Sequence, residues 1–571
     1  MKFYFLTLIF IFFTNLIEAQ VVATSVINYL KNHQQVNVLI ELKAKADLSQ
    51  INLNSSKEEK GKAVFQALKS VSNESQMPVK KLLESLHIKY KSYFLINIIS
   101  SSLNKEELAF ISNLREVKSI LLDESISLEK NIDNSMNTLH SREPLVTWGL
   151  TRVEADKVWA QGYKGKGVTI AGEDTGYKWD VEGIKEKYRG YSTGGVNHNY
   201  NWHDAIHKSS PLSSDTINPC GYNLSEPCDD NSHGTHTMGT MVGSTDADAY
   251  GIAPEANWIG CRNMERGNGA LSTYVECFEF FLAPTDLNGL NPKPELAPSA
   301  INNSWYCSLE EGCDTSNFPI MEEAIDNLTK AGVVVVVSAG NSGQSCGIIN
   351  YPAAIFNSSL VVGAFAINDT ISSFSSSGPV YNYKNFRIKP DVVAPGSNVL
   401  SRIPSGELVG WQGTSMAGPH VAGLVALIIN ANPALNGQVE KIKNIIKQSA
   451  RHADANIDCP PFLNDAIPNH VYGYGKIMAS VAVQMALITR VGNNSSSTGD
   501  FFIQPNPVSD YCTIIYSSSS QRNPLSIMNS YGELVQLVEP HQSEINLSTL
   551  TSGVYVLYDR MNGKGFKFVK M

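Results

Sequence analysis

Apolar and polar positions change rhythm twice along this chain of 571 residues. Val36 to Ala44 (VNVLIELKA) alternates as a strand does, Lys57 to Leu86 carries apolar side chains at helical spacing, and Tyr93 to Ser100 (YFLINIIS) reads as a second strand. A short helix over Lys105 to Leu114 and a further strand over Val117 to Asp123 complete a small α+β unit. Asn131 to Pro144 is polar and aperiodic, as suits an exposed, cleavable linker. From Trp148 onward, strand-like runs such as GVTIAGED (Gly167 to Asp174) and AGVVVVVSAGN (Ala331 to Asn341) alternate with helical ones such as FPIMEEAIDNLTKAG (Phe318 to Gly332). Val333 to Val337 is apolar at every position, which predicts a strand covered on both faces. That alternation predicts a doubly wound α/β domain with a parallel sheet. After the polar NNSSSTGD (Asn493 to Asp500), short strand patterns in YCTIIY, GVYVLYDR and FKFVKM predict an all-β sandwich. The expected division is 1–19, 20–140, 148–491, a linker at 492–500, and 501–571.

The first segment sets the compartment. Lys2 precedes an almost wholly apolar run from Phe3 to Phe13, and Ala19 suits the residue before a cut. That layout predicts a secretory signal peptide removed before Gln20. A membrane anchor needs roughly 20 apolar residues, more than this run supplies. Nine cysteines fit an exported chain. Close spacing suggests the pairs Cys220 with Cys228, Cys307 with Cys313 and Cys261 with Cys277, leaving Cys346, Cys459 and Cys512, although spacing alone does not fix the pairing. None has the tight spacing of a zinc knuckle. The net charge of −9 and the lack of a long basic run argue against nucleic acid as a partner.

Three short motifs bear on chemistry. Asp174 ends a predicted strand before Thr175-Gly176, His233 opens HGTHTMGTMVG, and Ser415 lies in GTSMAGPHVAGLVALII at the head of a strongly apolar helix. Ligands of an open parallel sheet meet the carboxyl ends of its strands, where Asp174 stands. A serine hydroxyl needs an adjacent base to act as a nucleophile, and histidine, titrating near pH 6.5, supplies one. A buried carboxylate then holds the imidazole in the correct tautomer. Singly, each residue has a plainer reading: Asp174 as a turn residue, His233 and His236 as metal ligands, Ser415 as a helix cap.

Taken together, DTG at Asp174, HGTH at His233 and GTSMAGPH at Ser415 resemble the three signatures of subtilisin-like serine proteases, in that family's order Asp, His, Ser. GIAPEA (Gly251 to Ala256), SAGNSG (Ser338 to Gly343) and IKPDVVAPG (Ile388 to Gly396) extend the resemblance over Trp148 to Leu487. The lipase elbow G-x-S-x-G is absent, since Ala417 replaces its second glycine. The resemblance implies Asp174, His233 and Ser415 as the catalytic triad. It also implies an oxyanion hole of the Asn341 amide and the Ser415 N–H, and a structural role for His236. Ser304, Trp305 and Tyr306 in INNSWY would lie on the strand that pairs with substrate backbone. Tyr306 departs from the glycine frequent there. Ser338, Ala339, Gly340 and Asn350 would line the first side-chain pocket. No cofactor is required for catalysis on this reading, structural calcium is allowed, and no metal ligands are assigned.

The unit before Trp148 resembles the propeptides of this family, which assist folding and then inhibit; the cut would fall between Asn131 and Thr147. PNPVSD, the Gly-Val-Tyr strand and the lysine-bearing last strand resemble the sorting domain of the type IX secretion route, implying secretion machinery as a partner and a secreted or surface-attached product. The expected activity is a serine endopeptidase made as a zymogen, acting on proteins or peptides and gaining activity through roughly pH 6 to 8. The rivals are a catalytically silent surface adhesin on the same fold and an esterase.

Overall fold

The structure is a computed structural model that describes residues 21–123, 125–127, 145–210, 212–213, 217–305, 315–381, 383, 385–455, 457–459, 466–493, 501–505, 508–516, 523–529, 534–540, 542–551, 553–559 and 564–570. The predicted signal peptide, both linkers apart from the end of the helix Ala479–Asn493, Tyr306 and the Cys307–Cys313 pair lie outside the described residues.

The N-terminal unit is a four-stranded antiparallel sheet in the order Tyr90–Tyr93, Ile98–Leu103, Val36–Leu42, Val117–Leu122. Two expectations change here. The helical stretch 57–86 is two helices, Lys57–Ser75 and Met77–Ser85, broken at Gln76 ahead of Pro78. Pro78 suits the first turn of a new helix, where its missing N–H is not needed. The buried Gln76 Nε2 donates instead to the carbonyl of Tyr93 at 2.9 Å and to Asn97 Oδ1 at 3.0 Å. The second correction concerns Tyr93 to Ser100, which is not one strand but a hairpin corner, with Asn97 at φ +53. Its apolar residues serve an interface. The Phe94 and Leu95 N–H groups donate to Glu279 Oε2 at 2.6 and 3.0 Å, and Asn327 Nδ2 donates to the Leu95 carbonyl at 2.7 Å. The corner is therefore seated on the helices Leu271–Leu282 and Phe318–Lys330 of the central domain.

The central domain holds a seven-stranded parallel sheet in the order Trp202–Asp204, Asn257–Arg262, Thr169–Asp174, Ala300–Asn303, Val334–Ser338, Leu360–Phe365, Val392–Pro395. The all-valine run divides as a doubly covered strand must. Val334 and Val336 pack with the helix Thr414–Ala431, and Val333, Val335 and Val337 pack with the helices Leu271–Leu282 and Phe318–Lys330. Each such side chain contributes about 1.5–3 kcal/mol by burial.

Cys220–Cys228 and Cys261–Cys277 are bonded as spacing suggests. Cys346 also pairs with Cys459, 113 residues on, and Cys512 is a buried free thiol. Closing a loop that long stabilises by roughly 4–5 kcal/mol in the chain-entropy account. The C-terminal strands form antiparallel sheets of three and four strands around Ile503, Ile527, Leu557 and Phe568.

Candidate active site

Asp174 closes its strand at the carboxyl edge of the sheet, and His233 opens the helix His233–Val242. Both are buried. His233 Nδ1 lies 2.7 Å from Asp174 Oδ1. A carboxylate can only accept, so the proton is on Nδ1 and Nε2 is left as the basic nitrogen. The Thr175 N–H also donates to Asp174 Oδ1 at 2.8 Å, and Thr237 Oγ1 donates to Oδ2 at 3.3 Å.

A second, half-buried carboxylate ties the two motifs together. Asp229 accepts from Thr175 Oγ1 at 2.9 Å, from Thr235 Oγ1 at 2.6 Å, and from the Ser232 and Thr235 N–H groups. It thus cross-links the DTG turn to the start of the histidine helix. Burial pushes its own pKa up, against those hydrogen bonds. At His233, burial acts to lower the pKa, but the Asp174 charge and hydrogen bond, helped by Asp229, outweigh it and raise it above the ordinary histidine value. His236 differs. Burial lowers its pKa to about 3, its Nε2 donates to the Val409 carbonyl at 3.1 Å, and Trp411 stacks on it at 4.7 Å. It is a neutral packing residue.

Ser415 lies in the first turn of the helix Thr414–Ala431. Gly413 before it has φ +152, where a side chain is strained. Pro419, four residues after Ser415, has no N–H to give the Ser415 carbonyl. That carbonyl is satisfied from outside the helix by Ser304 Oγ at 3.0 Å. Ser415 Oγ donates to the Ser304 carbonyl at 3.4 Å. His233 Nε2 has no hydrogen-bond partner among the described residues, so the serine–histidine bond is not made in this conformation. The helices carrying the two residues pack directly on each other.

Asn341 Oδ1 accepts from the Thr414 N–H at 2.8 Å and from Thr414 Oγ1 at 3.0 Å, which orients its amide beside the helix that bears Ser415. A Cβ placed on Gly413 would lie 3.5 Å from Asn341 Nδ2. Ala339, Gly340 and Asn350 line one small cavity of about 10 Å³ with Ser342, Tyr351 and Ser376, whereas Ser338 is buried outside it. Ser304 bonds to Ser415 as described. Trp305 turns its indole into the core, donating to Glu173 Oε1 at 3.2 Å and stacking on Tyr274 at 3.7 Å. Among the described residues no group of three or more His, Cys, Asp and Glu side chains is placed to hold a metal ion.

One element at this edge escaped the sequence reading. Asn268–Ala270 pairs antiparallel with the chain's own Ser125–Ser127, Gly269 opposite Ile126. The hairpin that presents it, Met264–Glu265 with Asn268–Ala270, springs from the carboxyl end of the strand next to Asp174, where the Asn263 N–H donates to the Asp174 carbonyl at 3.0 Å. MERGNGAL carries no apolar alternation; its signal is Gly267, which with Arg266 takes positive φ in a tight hairpin turn.

The family model of the subtilase family matches residues 165–475, and that of the secretion system C-terminal sorting domain matches residues 503–570. Bacillopeptidase F of Bacillus subtilis is 32% identical over 467 residues, covering 77% of this chain and 30% of that protein. The chain thus spans under a third of that relative. Subtilisin DY of Bacillus licheniformis is 30% identical over 343 residues, 59% of this chain and 99% of its own length. Serine protease AprX of Bacillus subtilis is 28% identical over 437 residues, 72% of this chain and 84% of its own. The solved structure of an epidermin leader peptide processing serine protease from Staphylococcus aureus superposes with TM-score 0.53 at 16% identity, over 80% of this chain and 99% of that one, a likeness of fold.

Proposed function

Since the chain belongs to the subtilase family and ends in a secretion sorting domain that marks it as secreted or attached to the cell surface, we propose that it is a serine endopeptidase made as a zymogen. Ser415 is the nucleophile, His233 the base and Asp174 the residue that orients it. His233 Nε2 takes the Ser415 proton as Oγ attacks the peptide carbonyl. The same proton passes to the leaving amine, and water then hydrolyses the acyl-enzyme. The Ser415 N–H, free at the helix start, and the Asn341 amide hold the oxyanion. No cofactor enters these steps.

The observation that carries this reading is the buried 2.7 Å contact between Asp174 and His233, made on the helix that packs against the one bearing Ser415. Catalytic hydrogen bonds are often long before substrate binds, so the 3.4 Å contact of Ser415 Oγ with Ser304 is compatible with it.

The N-terminal unit is proposed as the inhibitory propeptide. Two observations support this: the corner Phe94–Asn97 seated on the central domain, and the pairing of Ser125–Ser127 with a strand at the site's edge, as a peptide substrate would pair. Maturation then requires a cut downstream of Ser127. The substrates are proteins or peptides gripped largely by main chain at Ser304–Tyr306, with the first side chain near Ala339, Gly340 and Asn350. Release through the sorting domain involves the secretion machinery. Casein hydrolysis by the secreted protein tests the activity, and the Ser415→Ala variant is expected to lose it and to keep the N-terminal unit attached. Equal hydrolysis by that variant would refute the assignment. A wild type that hydrolyses simple esters but never casein would favour the esterase, and one that hydrolyses neither the adhesin.

A further inference from the structure

Glu173 precedes Asp174 on the same strand, so its side chain points to the opposite face of the sheet. It is fully buried. One carboxyl oxygen accepts from Trp305 Nε1, and the other, Oε2, has no hydrogen-bond partner among the described residues. The pairing register sets Asn303 opposite Glu173, and the chain from Asn303 runs through Ser304, bonded both ways to Ser415, to Trp305. Trp305 returns to the Glu173 strand through its indole and is clamped from behind by Tyr274. The three residues thus bridge the Asp174 strand and the Ser415 helix.

We propose that Glu173 is a positioning residue, which holds Trp305 and through it the Ser304–Trp305 segment at the height where that segment meets both Ser415 and the substrate main chain. The inference rests on the serine-protease reading above and adds to it a residue outside the triad. An ionised carboxylate with an unpartnered oxygen in a dry core is costly, so Glu173 works as the uncharged acid. Burial raises its pKa well above the carboxyl range; the Trp305 bond and the neighbouring Asn263 side chain oppose this, and the Asp174 charge adds to it. The titratable groups around it are Asp174 on its own strand, Tyr177 beyond that strand and Tyr274 from the helix Leu271–Leu282, and among the described residues no cation acts on it.

The test compares wild type, Glu173→Leu, Glu173→Gln, Trp305→Phe and the Glu173→Leu/Trp305→Phe double variant on a peptide chromogenic substrate, with active sites titrated. Glu173→Leu and Trp305→Phe should each raise KM about tenfold, with kcat per titrated site changed less, and the double variant should be no worse than either, because all three break one contact. Glu173→Gln, which keeps an acceptor, should rescue KM to within about twofold and leave the acid limb of the pH profile in place, because no charge is lost. An infrared difference spectrum of wild type minus Glu173→Gln at neutral pH should show a protonated-carboxyl band whether or not the protein hydrolyses peptides. A missing band, an acid limb moved by more than about half a pH unit in Glu173→Gln, or additive KM effects in the double variant would each overturn the inference. If wild type itself shows no Ser415-dependent hydrolysis, the proposed function fails, and the infrared band alone then decides the state of Glu173.

Discussion

The two contacts that would join the triad are built to different standards. On the carboxylate side, His233, Thr175 and Thr237 all converge on Asp174, and Asp229 braces the same turn through Thr175, Ser232 and Thr235. On the serine side the main chain of Ser415 is fixed by Ser304, but its hydroxyl makes only a 3.4 Å bond, and His233 Nε2 has no hydrogen-bond partner among the described residues. His233 is preset in tautomer and direction. The freedom that remains is the single χ1 rotation of Ser415. A site so divided spends no rearrangement on its acid–base pair when substrate arrives.

The hardest way to break this contrast is at its firm side. Asp174→Asn, which reverses the hydrogen-bond sense at His233 Nδ1, should lower kcat by about ten-thousandfold while the thermal midpoint barely moves; a loss under about tenfold would show that the pairing does not set the tautomer. Next is Asn341→Leu, expected on the proposed role to lower kcat by about a hundred- to a thousandfold, the scale for removing one oxyanion-hole donor, with KM little changed. Unchanged kcat would remove Asn341 from oxyanion binding. Asp229→Ala touches the brace alone. It should lower stability by about 2–3 kcal/mol in denaturant melts and kcat/KM by about tenfold, and no change in either would make the brace incidental.

The smallest effect is on pH. His233 must be neutral to act, and its pKa is raised, so kcat/KM should fall as pH drops through a midpoint above the ordinary histidine value of about 6.5. In Asp229→Asn one of the raising charges is gone, and the midpoint should move to lower pH. A midpoint below about pH 6 in the wild type would contradict the coupling.

Much of this site was legible from the chain because its members stand in short motifs. Asp174, His233 and Ser415 each announce themselves by neighbours such as Gly413, which the local backbone requires. The valine run 333–337 was legible for a related reason, since burial on both faces leaves its mark at every position. What could not be read depends on partners distant in sequence. Phe94 and Leu95 are as apolar as a strand, yet they form a corner whose N–H groups belong to Glu279. Cys346 finds Cys459 across 113 residues, and no spacing rule reaches so far. Asn268–Ala270 is a strand only because Ser125–Ser127 lies beside it. Glu173 was invisible for the opposite reason: beside Asp174 in sequence, it faces away, and its role appears only when Trp305 is found on the other side of the sheet.

The central claim is that Ser415 becomes a nucleophile because a fixed His233 waits for it. Titration with a serine-directed covalent probe measures this directly. The mature wild type should take one equivalent on Ser415, at a rate that rises as His233 loses its proton, and both His233→Ala and Ser415→Ala should stay unlabelled. A mature protein that takes no label, or label that persists in Ser415→Ala, would contradict the account.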